Sequence, residues 1–121
     1  HDFASFQSAG AERLTTVRTI SQLDVVRDDH PPFPGLRITV SADGFLYKMA
    51  RNIVGSLVHV GRGCESAEWI CWVRDQLDRK AAGQTAPPHG LYLVDVSYPA
   101  EYGLPATPYG PLMLGDGKGL I

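Results

Sequence analysis

An α+β fold, an antiparallel sheet with helices packed on one face, is predicted by three features of the sequence. Residues 36–43 alternate apolar and polar side chains, the period of a half-buried strand. Residues 44–59 read GFLYKMARNIVGSLVH and repeat their apolar side chains at helical spacing. Residues 91–98 are nearly all apolar or aromatic, the composition of a strand buried on both faces. Strands and helices in that order make one packed layer of each.

Each element has its own warrant. Residues 16–27 are rich in β-branched side chains and read as a first strand. Residues 28–35 hold three prolines and a glycine, hence a loop. Leu36, Ile38, Val40 and Ala42 then face the core while Arg37, Thr39, Ser41 and Asp43 face water, and the short linker between the two strands suggests an antiparallel pair. Asp43-Gly44 turns the chain into the helix. Leu46, Met49, Ala50, Ile53, Val54 and Leu57 fall on its apolar face, and Lys48, Arg51, Asn52, Gly55 and His59 on the polar one. Gly61-Arg62-Gly63 stops it. Ser66 suits the N-cap of a second helix, with Trp69, Ile70, Val73 and Leu77 turned inward. Residues 81–90 form a loop, residues 91–98 the last strand, and the Pro- and Gly-rich tail beyond Pro99 an extended surface arm.

The chain of 121 residues is long enough for one domain with a real core, spanning 1–121. A net charge of −2 provides no global attraction to nucleic acid, so a polyanion would have to meet a local basic patch. Cys64 and Cys71 lie too far apart along one helix to bridge. No signal peptide or apolar run of membrane length is present in the sequence, and a reducing, cytoplasmic setting is the simplest expectation. The start at His1 rather than Met suggests a cut from something longer.

Several chemistries lack their motifs. The histidines at 1, 30, 59 and 89 are scattered, without Cys-x-x-Cys or His-Glu-x-x-His, so no metal is expected. No nucleophile elbow or P-loop occurs. Asp28-Asp29 reads as a solvated loop tip, and Asp78-Arg79-Lys80 as a helix end whose cations suit the dipole.

Lys48 and Arg51 pose the open question. Cations in the first turns of a helix face its positive end, at some cost. Arg51, at the flank of the polar arc, is either a solvated or locally paired arginine or a guanidinium held to clamp a carboxylate or phosphate. Lys48 could add a contact to an RNA backbone. Periodicity alone does not choose.

Four motifs in order do more: HDFASF, GFLYKMARNIVGSLVHVG, AGQTAPPHGLYLVDVSYP and YGLPATPYGPL. Together they resemble tRNA pseudouridine synthases of the TruA type over residues 1–114, with residues 28–35 and the last few unmatched. The resemblance implies half of a pseudouridine synthase catalytic domain, its C-terminal half. The family's catalytic aspartate belongs to an earlier stretch like Gly-Arg-Thr-Asp-Ala-Gly-Val-His. Here Arg18-Thr19 is followed by Ile20, so this chain by itself is expected to be inactive.

By the same resemblance, Arg51 is the arginine that pairs with that aspartate, lowering its pKa and fixing its direction. Leu91 is the leucine that walls the uracil pocket. Lys48 carries over no catalytic role, only a contact to RNA. The implied reaction converts uridine to pseudouridine in the anticodon stem-loop of tRNA, without cofactor or metal, in a homodimer. The competing reading is a non-catalytic RNA-binding or interaction module, in which Lys48 and Arg51 bind phosphate alone.

Overall fold

The computed structural model describes residues 1–10, 14–29, 31–32 and 34–103. Strands β1 (Ile20–Asp28) and β2 (Gly35–Ala42) are followed by helices α1 (Met49–Gly61) and α2 (Glu68–Gln76). Short 3-10 turns stand at Ala4–Phe6, Arg79–Ala81, Pro88–Gly90 and Ala100–Tyr102. The α+β class is as the sequence predicts. The chain divides into two units, one of residues 1–24 and 38–89, the other of residues 25–37 and the chain from Gly90 onward.

In the first unit the core is small and aromatic. Phe3, Phe6, Leu46, Met49, Ile53 and Val73 are buried, and Ile20, Leu57, Trp69 and Ala82 pack around them. The N-terminal turn Ala4–Phe6 packs against both helices and the turn Arg79–Ala81. HDFASF is therefore a core segment. Its Ser5 hydroxyl, fully buried, donates to the Val73 carbonyl at 2.6 Å and accepts from the Asp78 N–H at 3.0 Å. One hydroxyl thus serves the end of α2 and the chain leaving it, where carbonyls lack helical partners.

The predicted first strand starts late. Residues 16–18 pair instead with the N-terminus, through an Asp2–Val17 bridge, Phe3 N–H to Thr16 O at 3.0 Å and Arg18 N–H to His1 O at 2.9 Å. β1 and β2 form a two-stranded antiparallel sheet, with the Ser21 hydroxyl on Ser41 O near one end. The alternation along 36–43 does not become one wet and one dry face. Residues 37–42 are all half-buried and Leu36 is exposed, because a two-stranded ribbon has no third strand to complete a layer.

Helix α1 begins five residues later than the apolar rhythm predicts. Lys48 is its N-cap in the left-handed region at φ 57°, not a first-turn residue, and Leu46 is buried ahead of the helix. Its end at Gly61 is as predicted, with Gly63 at φ 80° receiving the turn. Asn52, assigned to the polar face, is fully buried together with Ser56, because the chain after α2 returns across that side.

Helix α2 is capped by Ala67 rather than Ser66. The Ser66 hydroxyl instead bonds the exposed Glu68 carboxylate, whose pKa is lowered first by a backbone hydrogen bond and then by that hydroxyl. Val73 is buried as expected. Leu77 is exposed, since the helix ends at Gln76 and Leu77 turns left-handed at φ 53°. Cys64 and Cys71 are free thiols.

In the second unit, Asp28 and Arg37 lie 3.6 Å apart as an ion pair. Residues 91–98 are not a strand and are exposed, contrary to the predicted buried strand. A strand exists only through its ladder, and among the described residues the sheet has two strands, neither paired with this run. The tail from residue 104 lies outside the described residues. No described helix is long and apolar enough to cross a membrane.

Candidate active site

The polar side of α1 is where the charged residues gather, and a loop decides what they can do. After the turn Arg79–Ala81, residues 82–87 run back over α1 without helical or strand structure of their own. Their path needs Gly55. A Cβ there would collide with the Gln84 carbonyl oxygen, so only glycine lets the two backbones touch. The Gly83 N–H donates to the Ser56 hydroxyl at 3.0 Å on the same side.

Arg51 is half-buried under this loop. Its Nε donates to the Ala86 carbonyl at 2.8 Å, and the Ala86 N–H donates back to the Arg51 carbonyl at 3.1 Å. The reciprocal pair fixes both the backbone and the plane of the guanidinium. Nε is the inner donor. The two terminal nitrogens make no hydrogen bond to a described residue, and no described carboxylate lies within ion-pair distance of Arg51. What results is an oriented cation whose outer edge, the edge that binds carboxylate or phosphate bidentately, is unspent among the described residues.

Asn52 is the hub beside it. Its Nδ2 donates to Phe6 O at 2.7 Å and Ser8 Oγ at 3.1 Å. Its Oδ1 accepts from Thr85 Oγ1 at 2.6 Å and Arg79 Nη2 at 3.2 Å. Arg79 also reaches Gly83 O at 3.0 Å and Thr85 Oγ1 at 2.8 Å. The Asp78-Arg79-Lys80 run is thus not a helix end. Asp78 caps the following turn by accepting from the Lys80 N–H, and Arg79 ties the loop to α1.

Of the three residues singled out by sequence, Lys48 and Arg51 stand one turn apart at the start of α1. Lys48 is exposed, its Nζ 5.1 Å from the centre of the Tyr47 ring, a cation–π distance. Leu91 belongs to the second unit and is half exposed, at 49%. Sequence reasoning missed Asn52, Arg79 and Thr85. A signal for Asn52 existed, a helical amide directly following the arginine. Nothing in the spacing showed that the AGQT segment would fold back on it. Among the described residues no three His, Cys, Asp or Glu side chains are grouped to hold a metal.

Comparison with known proteins adds a frame to this geometry. Residues 1–99 match the family described as tRNA pseudouridine synthase. Proteins named tRNA pseudouridine synthase A from Vibrio parahaemolyticus and Vibrio campbellii are each 47% identical over 116 residues, 96% of this chain and 42% of the relative. One from Histophilus somni is 43% identical over 118 residues, 98% of this chain and 42% of its own length. The chain therefore spans about two fifths of the curated relatives it matches.

Proposed function

This chain belongs to the tRNA pseudouridine synthase family, and we propose from that premise that its residues serve the isomerisation of uridine to pseudouridine in tRNA, as the C-terminal half of a catalytic domain. The reaction breaks the bond from N1 of uracil to C1′ of the ribose. The base turns and C5 bonds to C1′, C5 loses its proton, and N1 gains one. An ionised carboxylate supplied by the other half attacks the nucleoside or takes a proton from the sugar. The target base leaves the RNA stack to be reached, at a cost of a few kcal/mol.

The observation that carries this reading is Arg51. A guanidinium locked through Nε onto the Ala86 carbonyl, with its terminal nitrogens unpartnered among the described residues, suits an ion pair with a carboxylate arriving from outside this chain. Such a cation keeps the carboxylate ionised and points it at the sugar. Leu91, exposed here, is the apolar wall against which the uracil face rests. Lys48 contacts the RNA backbone. The assembled enzyme acts on the anticodon stem-loop in the cytoplasm as a homodimer, and its phosphate contacts make binding fall with salt.

The test is release of tritium to water from tRNA labelled at uridine C5, with the full-length synthase. Release proportional to pseudouridine formed supports the reading. Salt-sensitive tRNA binding with no release would replace it with a non-catalytic RNA-binding module.

A further inference from the structure

We propose that Thr85, through Asn52 and Arg79, is a positioning residue for Arg51; this rests on the reading of Arg51 as the partner of the catalytic carboxylate. Arginine has a long, rotatable side chain, and its ion pairs are directional only when something fixes the guanidinium plane. Here that something is a single backbone carbonyl, Ala86 O, at 2.8 Å from Nε. Ala86 lies in a loop without regular structure, so the carbonyl is only as fixed as the loop is.

One tie is the Ala86 N–H bond to the Arg51 carbonyl at 3.1 Å, and side chains add the rest. The Thr85 hydroxyl, one residue before Ala86, donates to Asn52 Oδ1 at 2.6 Å and accepts from Arg79 Nη2 at 2.8 Å. The same Nη2 reaches Asn52 Oδ1 at 3.2 Å, closing a three-membered ring of hydrogen bonds. Asn52 is fully buried and adjacent to Arg51 on α1, and its other end is fixed to Phe6 O. Arg79 Nη1 holds Gly83 O at 3.0 Å, upstream of the same loop. Among the described residues Arg79 meets neutral acceptors and pairs with no carboxylate, so its charge adds to the positive potential under the loop. The ring holds the Ala86 carbonyl under the guanidinium. Its loss leaves Arg51 charged but free to turn.

The experiment uses the full-length synthase on tRNA, measuring single-turnover rate against pH, tRNA affinity and thermal melting. Thr85→Val removes the hydroxyl at nearly constant shape. It is expected to slow the chemical step by about ten- to a hundredfold while tRNA affinity changes less than about twofold, as misplacement of a positioned group does. A cation held close keeps the carboxylate pKa down, so a loosened one lets it rise. The acid limb of the pH–rate profile should therefore move to higher pH. Thr85→Ser restores the hydroxyl and should restore both rate and limb. Arg79→Lys keeps the charge but loses the fork that holds Gly83 O through one nitrogen and Asn52 and Thr85 through the other, and should behave like Thr85→Val if the latter does not fold. A folded Thr85→Val or Arg79→Lys enzyme with unmoved rate and acid limb overturns the proposal, as does a rate loss with the limb in place. Arg51→Ala separates the two levels. If it moves the acid limb and the Thr85 variant does not, positioning alone fails. If Arg51→Ala leaves the limb unmoved, the reading of Arg51 fails and this inference with it.

Discussion

Asn52 has all four of its side-chain hydrogen-bonding positions used: two donors to Phe6 and Ser8, and an oxygen shared by Thr85 and Arg79. It is buried completely, so none of these bonds can be replaced by bulk water. Truncation would orphan the Phe6 carbonyl and release the loop. Asn52→Ala is expected to lower stability by roughly 2–4 kcal/mol, at an unchanged urea dependence, measured by urea denaturation. The helical wheel placed this residue on the polar side of α1 correctly. It could not say what would cover that side, because a wheel describes one helix and burial depends on what returns to it. The wheel likewise placed Arg51 at the flank of the polar arc, where it is half-buried. Its Ala86 contact arises 35 positions away in sequence and was not legible.

The limits of α1 divide between readable and unreadable signals. Its stop at Gly61 follows from glycines that release the helix. Its start follows from Lys48 in a left-handed conformation that a lysine rarely adopts, which no propensity foretells. Between them Gly55 is the element's contact surface. It looked like a neutral member of the polar arc, yet the Gln84 carbonyl occupies the space a Cβ would need. Gly55→Ala should push the loop off the helix. The helix-propensity gain of about 1 kcal/mol is then outweighed by lost loop contacts, and the melting temperature falls rather than rises. An increase in melting temperature would show that the loop yields without cost. The late start of β1 has a similar cause: Thr16 and Arg18 spend their backbone groups on His1 and Phe3.

At the scale of the molecule, the α+β class and the family were legible, the first from two periodicities and the second from four motifs in order. Residues 91–98 were not. Their composition reads as a strand buried on both faces, but they are exposed here, with Leu93 at 79%. Exposed apolar runs of this kind favour association. The 121-residue chain should therefore elute at an apparent mass that rises with concentration, and Leu93→Lys should reduce that rise. Size-exclusion chromatography with light scattering checks both, and a strictly monomeric chain would show that the run is tolerated in water.

The central claim is that Arg51 acts on the chemistry and not merely on the fold. Its most direct test is the single-turnover rate of pseudouridine formation by full-length Arg51→Ala synthase, with melting temperature and tRNA affinity measured on the same preparation. A large loss of rate in a folded enzyme that still binds tRNA is the predicted result. A wild-type rate would contradict it and return Arg51 to the role of a loop clasp.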